Sequence, residues 1–307
     1  MKLASYILQN RPSYGIVCDD GVRDIPAAMP EAPLTLAEML GAGEAALAQA
    51  SLAAESIAPL SLGQVRLAAP IPQPPKLIGL AVNYAEHHRE MDRGDLTGDA
   101  AALTPRPFLM PPTAVAAPDE EIPWPAYSRE VDHEVELAVV IGRPGRCLSP
   151  QQAREHIGGY TIANDISARS VTFAEGRAER PKDAFFDWLH GKWSDRFCPL
   201  GPWLVTPDEL GDPHELRISL EVDGETRQDS STRYMIHNVF EVVSFVSHIM
   251  TLTPGDVIAT GTPSGVGKAT GKLLQGGQTI TCHIENIGDL TNRLGEPPHQ
   301  FYIPCGR

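Results

Sequence analysis

The amino-acid sequence predicts an α+β fold that is mainly β. Short apolar runs bounded by turn residues dominate the chain after residue 76, as in "KLIGLAV" and "VELAVVIG", and such runs are typical of buried strands. Helical patterns are few and do not alternate regularly with strands, so a Rossmann fold or a TIM barrel fits poorly. The sequence becomes richer in strand patterns after about residue 70. We therefore predict a small N-terminal α/β domain over residues 1–70 and a larger, strand-rich domain over residues 71–307.

The N-terminal part carries both strand and helix patterns. "KLASYIL" and "YGIVCDDGVRDIP" predict two short strands joined by polar turns, and "LTLAEMLGAGEAALAQASLAAE" predicts a helix. Residues 68–76, "AAPIPQPPK", contain four prolines, which disfavour both helix and central strand. We expect this stretch to be a stiff linker or an extended lead-in to the larger domain.

The larger part reads as strands with a few helices between them. Strands are predicted for "KLIGLAV", "GYTIAND", "DVIATG" and "GQTITCHIENIG", and short helices for "YAEHHREM" and "SPQQAREHIG". "LRISLEVDGETRQDSS" predicts a hairpin that turns at Asp223-Gly224, and "HNVFEVVSFVSHIMTL" has the apolar spacing of a buried helix. The segment "DWLHGKWSDRFCPLGPW" contains enough Gly and Pro to predict no helix there.

Composition excludes several function classes. The chain has 307 residues, 42% of them hydrophobic and 21% charged, which is typical of globular proteins. The net charge of −14 argues against a nucleic-acid partner, since phosphate binding needs clustered Lys and Arg. Five scattered cysteines form no C-x-x-C motif, and the N-terminus lacks a long apolar run. We expect no disulfide framework, no zinc site, no membrane association, and a cytoplasmic location.

Two glutamates stand at the start of a buried strand in "DHEVELAVVIG". Alternation along a strand places Glu134 and Glu136 on one face, with α-carbons about 6.6 Å apart, whereas His133 faces the other way. Two carboxylates this close repel each other, and a hard divalent cation such as Mg²⁺ relieves that repulsion. A strand with a solvated polar edge is the alternative reading of this pair.

Further polar residues lie where other strands end. Asp165 ends "YTIAND", and a returning strand would place it beside the two glutamates; Arg169 follows soon after. Lys192 lies between aromatic residues. Residues 261–267 form a glycine-rich loop directly after a strand, which allows close backbone approach to a ligand but does not match a Walker A loop. The alternatives are that Lys192 is an ordinary solvated lysine, that Arg169 pairs with a structural carboxylate, and that Thr262 supplies only a turn hydroxyl.

Five motifs in order resemble those of the fumarylacetoacetate hydrolase family: "NYAEHHRE", "EVELAVVIG", "YTIANDISAR", "GKWSDRFCPLGPWLVT" and "LTPGDVIATGTPSGVG". The resemblance covers roughly residues 75–295. It implies a mixed β-sheet roll as the catalytic domain, a homodimer, and Mg²⁺ or Mn²⁺ held by three carboxylates. Matched to this sequence, those ligands are Glu134, Glu136 and Asp165.

The resemblance also implies a substrate class, the 2-oxo and 2,4-dioxo acids. A metal bound to the carboxylate and 2-oxo oxygens would stabilise an enolate, which serves C–C hydrolysis, decarboxylation and isomerisation alike. Arg169, Lys192, Gly261 and Thr262 are predicted to surround the substrate, with Lys192 also catalytic. Two positions depart from the family pattern. Met110 replaces a lysine and Ser170 follows Arg169, so substrate choice is expected to differ.

The motif "NYAEHHRE" favours hydrolysis among these reactions. In a helix His87 and Glu90 lie at i and i+3, where the carboxylate can orient the imidazole as a general base for water. A solvated polar helix is the alternative. The leading hypothesis is a metal-dependent hydrolase of acylpyruvates such as fumarylpyruvate, maleylpyruvate or acetylpyruvate, in catabolism of aromatic or sugar-derived acids. The alternatives are a 2-oxo acid decarboxylase or isomerase and a catalytically silent ligand-binding relative.

Overall fold

The computed structural model describes residues 1–91 and 103–304. Their strands are β1 (Lys2–Leu8), β2 (Arg11–Cys18), β3 (Gly21–Asp24), β4 (Arg66–Leu67), β5 (Leu77–Leu80), β6 (Pro107–Met110), β7 (Val115–Ala116), β8 (Glu121–Ile122), β9 (Val131–Asp132), β10 (Val135–Ile141), β11 (Ile157–Asn164), β12 (Ser167–Ala168), β13 (Cys198–Val205), β14 (Arg217–Val222), β15 (Glu225–Ser231), β16 (Val257–Ala259), β17 (Thr279–Ile284) and β18 (Gly288–Leu294). Their helices are α1 (Ile25–Ala28), α2 (Leu36–Ala42), α3 (Glu44–Ala54), α4 (Ala85–Glu90), α5 (Pro150–Arg154), α6 (Asp183–His190), α7 (Pro207–Leu210), α8 (Val239–Ile249) and α9 (Gly267–Thr270).

These strands form two main sheets and one two-stranded ribbon. The large sheet has the order β3-β2-β1-β13-β11-β10-β16-β5-β6, with β4 added to β1 and β7 to β13. The second sheet has the order β15-β14-β17-β18-β8, and β12 pairs with β9. Most pairs are antiparallel, but β16 with β5, β13 with β7 and β18 with β8 are parallel. The predicted α+β, mainly β class with mixed sheets is confirmed.

Strand β10 lies between β11 and β16 in the large sheet and is buried along its whole length. Its alternate residues face two different apolar clusters: Leu137 and Val139 pack with the second sheet and α8, whereas Ala138 and Val140 pack towards the N-terminal helices. A strand covered on both faces is expected to read as a continuous apolar run, as this one does after Glu136. The polar start of β10 is therefore anchored by a well-packed strand.

The N-terminal residues extend the large sheet instead of forming a separate one. β1 pairs with β13, where Lys2 lies opposite Val205, and β2 and β3 continue the sheet outwards. The proline-rich stretch 68–76 contains no strand or helix and leads from β4 to β5. The boundary near residue 70 stays a prediction.

Two local predictions differ from the structure. The helix predicted over residues 34–55 is divided at Gly43, whose φ of 91° leaves the helical region, so α2 and α3 follow each other. The prediction of no helix over residues 187–203 is wrong for its first four residues, which belong to α6. Gly and Pro are concentrated after His190, so they end this helix without preventing it.

The predicted hairpin and the helix predicted within residues 237–252 are present. β14 and β15 turn at Asp223 and Gly224, both of which have positive φ, as a two-residue turn of this type requires. Helix α8 begins with a capping box between Asn238 and Glu241 and buries its apolar face in the larger core cluster.

Candidate active site

Three carboxylates meet where β10 and β11 run side by side. Glu134 precedes β10, Glu136 lies within it, and Asp165 follows β11. In the antiparallel register Glu136 lies opposite Ala163, and the Asp165 N–H donates to the Glu134 carbonyl at 2.8 Å. All three residues are buried, and one oxygen from each carboxylate lies within 4.8 Å of the other two. The strand pairing thus brings together the three residues that the sequence indicates as metal ligands.

Burial and mutual repulsion give these carboxyl groups different acidities. Burial opposes ionisation of Glu134, but the Lys192 and Arg169 cations outweigh it and lower its pKa to about 2. Burial, followed by repulsion from Asp165 and Glu134, raises the pKa of Glu136 well above its usual range. Burial, partly offset by Lys192, raises the pKa of Asp165 to about 6. The protein alone does not compensate all three negative charges.

The donor set fits a hard divalent cation. Each of the three residues offers carboxylate oxygen, the ligand type that Mg²⁺ and Mn²⁺ prefer. Asp165 Oδ1 is buried and has no hydrogen-bond partner, and buried polar atoms in that state call for an explanation. A bound cation would supply that missing partner and the missing positive charge. Glu134, Glu136 and Asp165 are therefore the residues that could hold a metal.

Two cations lie against the carboxylates. Lys192 Nζ donates to Glu134 Oε2 at 2.7 Å and to Asp165 Oδ2 at 2.6 Å, and the lysine is 2% exposed. Arg169 Nη2 donates to Glu134 Oε1 at 2.5 Å. Lys192 is therefore not the solvated lysine of its alternative reading, whereas Arg169 does pair with a buried carboxylate, as its alternative reading expects. Both line the same pocket as the three carboxylates.

Arg169 is held in place from behind by a buried aspartate. Its Nε donates to Asp132 Oδ2 at 2.8 Å, and Asp132 is fully buried. The same carboxylate accepts the N–H groups of His133, Gly267 and Lys268 at 2.9, 2.6 and 2.9 Å. Four donors satisfy this carboxylate, so Asp132 fixes the guanidinium of Arg169 and the start of α9 together.

The predicted His–Glu pair is formed. His87 and Glu90 lie one turn apart on α4, and His87 Nδ1 is 2.6 Å from Glu90 Oε1. The second oxygen, Glu90 Oε2, accepts the Gly265 N–H at 2.8 Å. Because Nδ1 is occupied by the carboxylate, Nε2 is left as the basic atom of the imidazole. The local i, i+3 spacing predicted this contact correctly.

The glycine-rich loop, residues 261–267, connects the separate parts of the site. Gly261 has a φ of 96°, and a side chain there would meet the Asn83 Cβ at 2.7 Å, so glycine is required. Three glycine N–H groups of the loop donate to three different carboxylates: Gly261 to Glu136, Gly265 to Glu90, and Gly267 to Asp132. The loop thereby ties the proposed metal ligands, the His–Glu pair and the support of Arg169 to one another.

The site residues surround a small pocket of about 50 Å³. Its lining contains every predicted site residue except Glu90 and Gly261. Phe108 and Trp188, with ring centres 5.0 Å apart, form part of an apolar wall. Met110, which replaces a family lysine, does not line the pocket but is buried in the cluster beneath the N-terminal helices. The substitution therefore removes a charge without placing the methionine against a ligand.

Sequence reasoning missed several residues that shape the site. Asp132 lies two residues before Glu134, so the alternation that grouped the glutamates also indicates Asp132. Gln228, Phe108 and Trp188 come from distant parts of the chain, and no local pattern singled them out. His133, which was predicted to face away from the glutamates, does not line the pocket, and its Nδ1 lies 3.3 Å from Gln228 Oε1.

The part of the chain that the structure describes contains no helix long and apolar enough to cross a membrane. The longest helices, α3 and α8, have eleven residues each, against the roughly 20 apolar residues that a spanning helix needs.

The fold and the buried carboxylate site define a known class of protein. A family model described as fumarylacetoacetate (FAA) hydrolase C-terminal matches residues 76–295, which is most of the chain. The chain belongs to the fumarylacetoacetate hydrolase family.

Similar individual proteins include two curated relatives and a solved structure. Oxaloacetate tautomerase FAHD2A, mitochondrial, from Bos taurus is 39% identical over 277 residues, which cover 89% of this chain and 84% of the relative. The 2,4-didehydro-3-deoxy-L-rhamnonate hydrolase of Sphingomonas sp. (strain SKA58) is 35% identical over 304 residues, or 97% of this chain and 98% of the relative. Maleylpyruvate hydrolase from Sphingobium sp. SYK-6, solved with manganese(II) and pyruvate, has a TM-score of 0.78 at 29% identity and covers 97% of this chain and 100% of its own.

Proposed function

We propose that this chain is a divalent-metal-dependent hydrolase that cleaves a C–C bond in a 2,4-dioxo acid of the acylpyruvate type. The observation that carries the proposal is the placement of the His87–Glu90 pair beside the carboxylates of Glu134, Glu136 and Asp165, with His87 lining the same pocket. Such a site combines a place for a cation with a base for water. The named activities of the Sphingomonas and Sphingobium hydrolases support this substrate class.

Binding of the substrate is assigned to groups that line the pocket. When bound by Glu134, Glu136 and Asp165, Mg²⁺ or Mn²⁺ supplies Lewis-acid stabilisation of charge on the substrate's carboxylate and 2-oxo oxygens. Arg169 and Lys192 are placed to hold the same anionic oxygens through charge-assisted hydrogen bonds. The manganese and pyruvate bound to the Sphingobium enzyme support this combination of metal and pyruvoyl group.

His87 is proposed to activate the attacking water. Glu90 accepts the Nδ1–H of His87, so Nε2 takes a proton as the water oxygen bonds to the acyl carbonyl carbon. The bond between that carbon and the pyruvoyl CH₂ then breaks, and the departing carbon receives a proton. The products are a carboxylic acid and pyruvate. Glu90, itself fixed by Gly265, stabilises the positive charge on the imidazole while it holds the proton.

A second candidate function is tautomerisation of oxaloacetate. It is favoured by the 39% identity to the bovine oxaloacetate tautomerase. Tautomerisation moves a proton between carbon and oxygen and requires no water as nucleophile, so the same metal and cations would suffice. Decarboxylation of oxaloacetate and binding without turnover are the remaining alternatives.

A substrate panel separates these functions. We would assay acetylpyruvate, fumarylpyruvate, oxaloacetate and the 2,4-dioxo sugar acid named for the Sphingomonas relative, each with Mg²⁺, Mn²⁺ or EDTA. Hydrolysis predicts pyruvate and a second acid from a dioxo acid, with loss of activity in EDTA. Keto–enol exchange of oxaloacetate without hydrolysis of any dioxo acid would favour the tautomerase. Release of CO₂ from oxaloacetate would favour the decarboxylase, and no turnover of any compound would contradict an enzymatic role.

We also propose that the protein is a homodimer, as its family resemblance implies. Light scattering at micromolar concentration should give about twice the chain mass of 33.2 kDa. A single-chain mass would contradict the dimer.

A further inference from the structure

A buried side-chain amide lies directly behind one wall of the pocket. Gln228 belongs to β15, at the edge of the second sheet, and is 1% exposed. Its Oε1 accepts the Val135 N–H at 3.1 Å and lies 3.3 Å from His133 Nδ1. Its Nε2 donates to the Pro263 carbonyl and to the Thr262 hydroxyl, both at 2.9 Å. Every hydrogen-bonding position of this amide therefore has a partner.

The orientation of this amide is fixed by two backbone groups. The Val135 N–H can only donate, so it must face the amide oxygen, and the Pro263 carbonyl can only accept, so it must face the amide nitrogen. Exchanging oxygen and nitrogen would break both contacts, which removes the usual ambiguity of a glutamine side chain. Nε2 must therefore donate to Thr262 Oγ1.

This orientation determines what the Thr262 hydroxyl can do. The hydroxyl oxygen already accepts from Gln228, so its own proton remains to be donated elsewhere. Within the described part of the chain, Gln228 is the side chain that hydrogen-bonds this hydroxyl, and Thr262 lines the pocket beside Arg169 and Lys192. Thr262 is only 3% exposed, so solvent is a poor alternative acceptor.

We propose that Gln228 is a positioning residue that makes Thr262 a hydrogen-bond donor to an anionic oxygen of the substrate's pyruvoyl group. This proposal rests on the proposed function, because the oxygen that accepts the Thr262 hydrogen bond belongs to the substrate proposed for the same pocket. The free proton of Thr262 calls for an acceptor, and a carboxylate or 2-oxo oxygen of the substrate is one, whereas a group that can only donate, such as an ammonium, is not. Arg169, Lys192 and Thr262 then all present donors to the same anion.

Pyruvate binding to the Mg²⁺-loaded protein tests this proposal without requiring turnover. We would measure the dissociation constant by calorimetry for the wild type, Thr262→Val, Thr262→Ser, Gln228→Met and Thr262→Val/Gln228→Met. Loss of a hydrogen bond to a charged acceptor predicts about tenfold weaker binding or more for Thr262→Val, and Thr262→Ser should restore most of it. Gln228→Met should weaken binding about three- to tenfold. The double variant should match Thr262→Val alone, because Gln228 acts through Thr262.

Asn292 provides a matched structural control. It is a buried amide whose Nδ2 donates to the Ala117 and Glu120 carbonyls, away from the pocket. Asn292→Leu should lower the melting temperature without changing pyruvate affinity. If Gln228→Met does not fold, Gln228→Glu at pH 8 replaces it, since its carboxylate still accepts from Val135 but cannot donate to Thr262.

Three results would overturn the proposal. They are unchanged pyruvate affinity in a folded Gln228 variant, equal losses in Thr262→Val and Thr262→Ser, and multiplied losses in the double variant. Failure of the wild type to bind pyruvate with Mg²⁺ or Mn²⁺ would overturn the proposed function as well, so the two failures can be told apart.

Discussion

The carboxylate cluster and the His87–Glu90 pair lie side by side but are held by different kinds of structure. Glu136 is part of β10, which has hydrogen-bonded neighbours on both sides and is buried over seven residues. His87 and Glu90 belong to α4, a six-residue helix without a side-chain N-cap. The strand pairing holds Glu136 in the sheet, whereas Glu90, among the described residues, is held from outside α4 by the Gly265 N–H.

The two regions also differ in charge. The carboxylate cluster collects three acidic groups in a buried place, where burial and mutual repulsion raise the pKa of Glu136 and of Asp165 although Lys192 lies beside them. The His–Glu pair is a hydrogen-bonded unit in which one carboxylate faces one imidazole. A rigid scaffold is needed where like charges must be kept together, and a short helix is enough where the groups attract each other. Four predictions test this difference, from the largest expected effect to the smallest.

Removing a carboxylate from the sheet should have the largest effect. Glu136→Gln should abolish turnover and weaken Mg²⁺ binding, because a direct ligand is lost. Loss of a hydrogen bond that only supports a ligand lowers metal affinity by roughly 10–100-fold, and the loss here should be larger. Calorimetry and turnover assays measure both. Asp256→Asn is the control: Asp256 is equally buried and paired with Lys76 at 2.7 Å, but it does not line the pocket. Strong Mg²⁺ binding by Glu136→Gln would contradict the metal site.

Removing the base should affect only one reaction. His87→Ala and Glu90→Gln should each lower C–C hydrolysis by about 10²- to 10⁴-fold while Mg²⁺ affinity stays near that of the wild type. Glu86→Gln, an exposed change on the same helix, serves as the control. Full hydrolysis in His87→Ala would refute the water-activating role. Retained oxaloacetate tautomerisation in a variant that no longer hydrolyses would show that the two regions serve different steps.

Asp132 lies in β9 and also accepts the Gly267 N–H of the loop 261–267. Its replacement therefore tests how strongly the carboxylate cluster and the His87–Glu90 pair are coupled. Asp132→Asn should raise KM more than it lowers kcat, with a loss in kcat/KM of about 10–100-fold, because Arg169 loses its charged support. Steady-state kinetics and thermal melting would be compared with Asp256→Asn, which should lose stability only. Equal kinetics in the two variants would mean that Asp132 is merely structural.

The smallest effect concerns stability and pH in the metal-free protein. The pKa of Asp165 is raised to about 6, so its stabilising contribution is present below its ordinary value of 3.8 and is lost as the pH rises to 6. Glu134, with a pKa lowered to about 2, behaves oppositely: its contribution is present above 4.5 and is lost as the pH falls towards 2.

These opposite pH dependences of stability predict how a variant of Asp165 should behave. Asp165→Asn should stabilise the metal-free chain at pH 8 by on the order of 1–3 kcal/mol and have little effect at pH 4. Chemical unfolding in EDTA at the two pH values measures this. Wild-type Mg²⁺ affinity should also fall as the pH drops through 6, because Asp165 must lose its proton to bind the ion. A destabilised Asp165→Asn at pH 8 would mean that Lys192 compensates the carboxylate fully.

The sequence by itself determined the contacts and turns that depend on residues close together in the chain. Strand alternation placed Glu134 and Glu136 on one face, helical spacing paired His87 with Glu90, and Asp223-Gly224 marked the hairpin turn. These contacts follow from the 2.0- and 3.6-residue periods of strand and helix, which any local segment displays. The mainly β class followed in the same way, whereas the family was indicated by the resemblance of five motifs in order.

Only the tertiary structure decided which distant groups meet. The register of β10 with β11 brings Asp165 to the glutamates, Lys192 arrives from beyond α6, and the glycine N–H groups of the loop 261–267 reach three carboxylates 125 or more residues away. The amide of Gln228 meets Val135 and Thr262 across two sheets. Such contacts leave no local signal, because each depends on the packing of the whole chain and not on the spacing of residues along it.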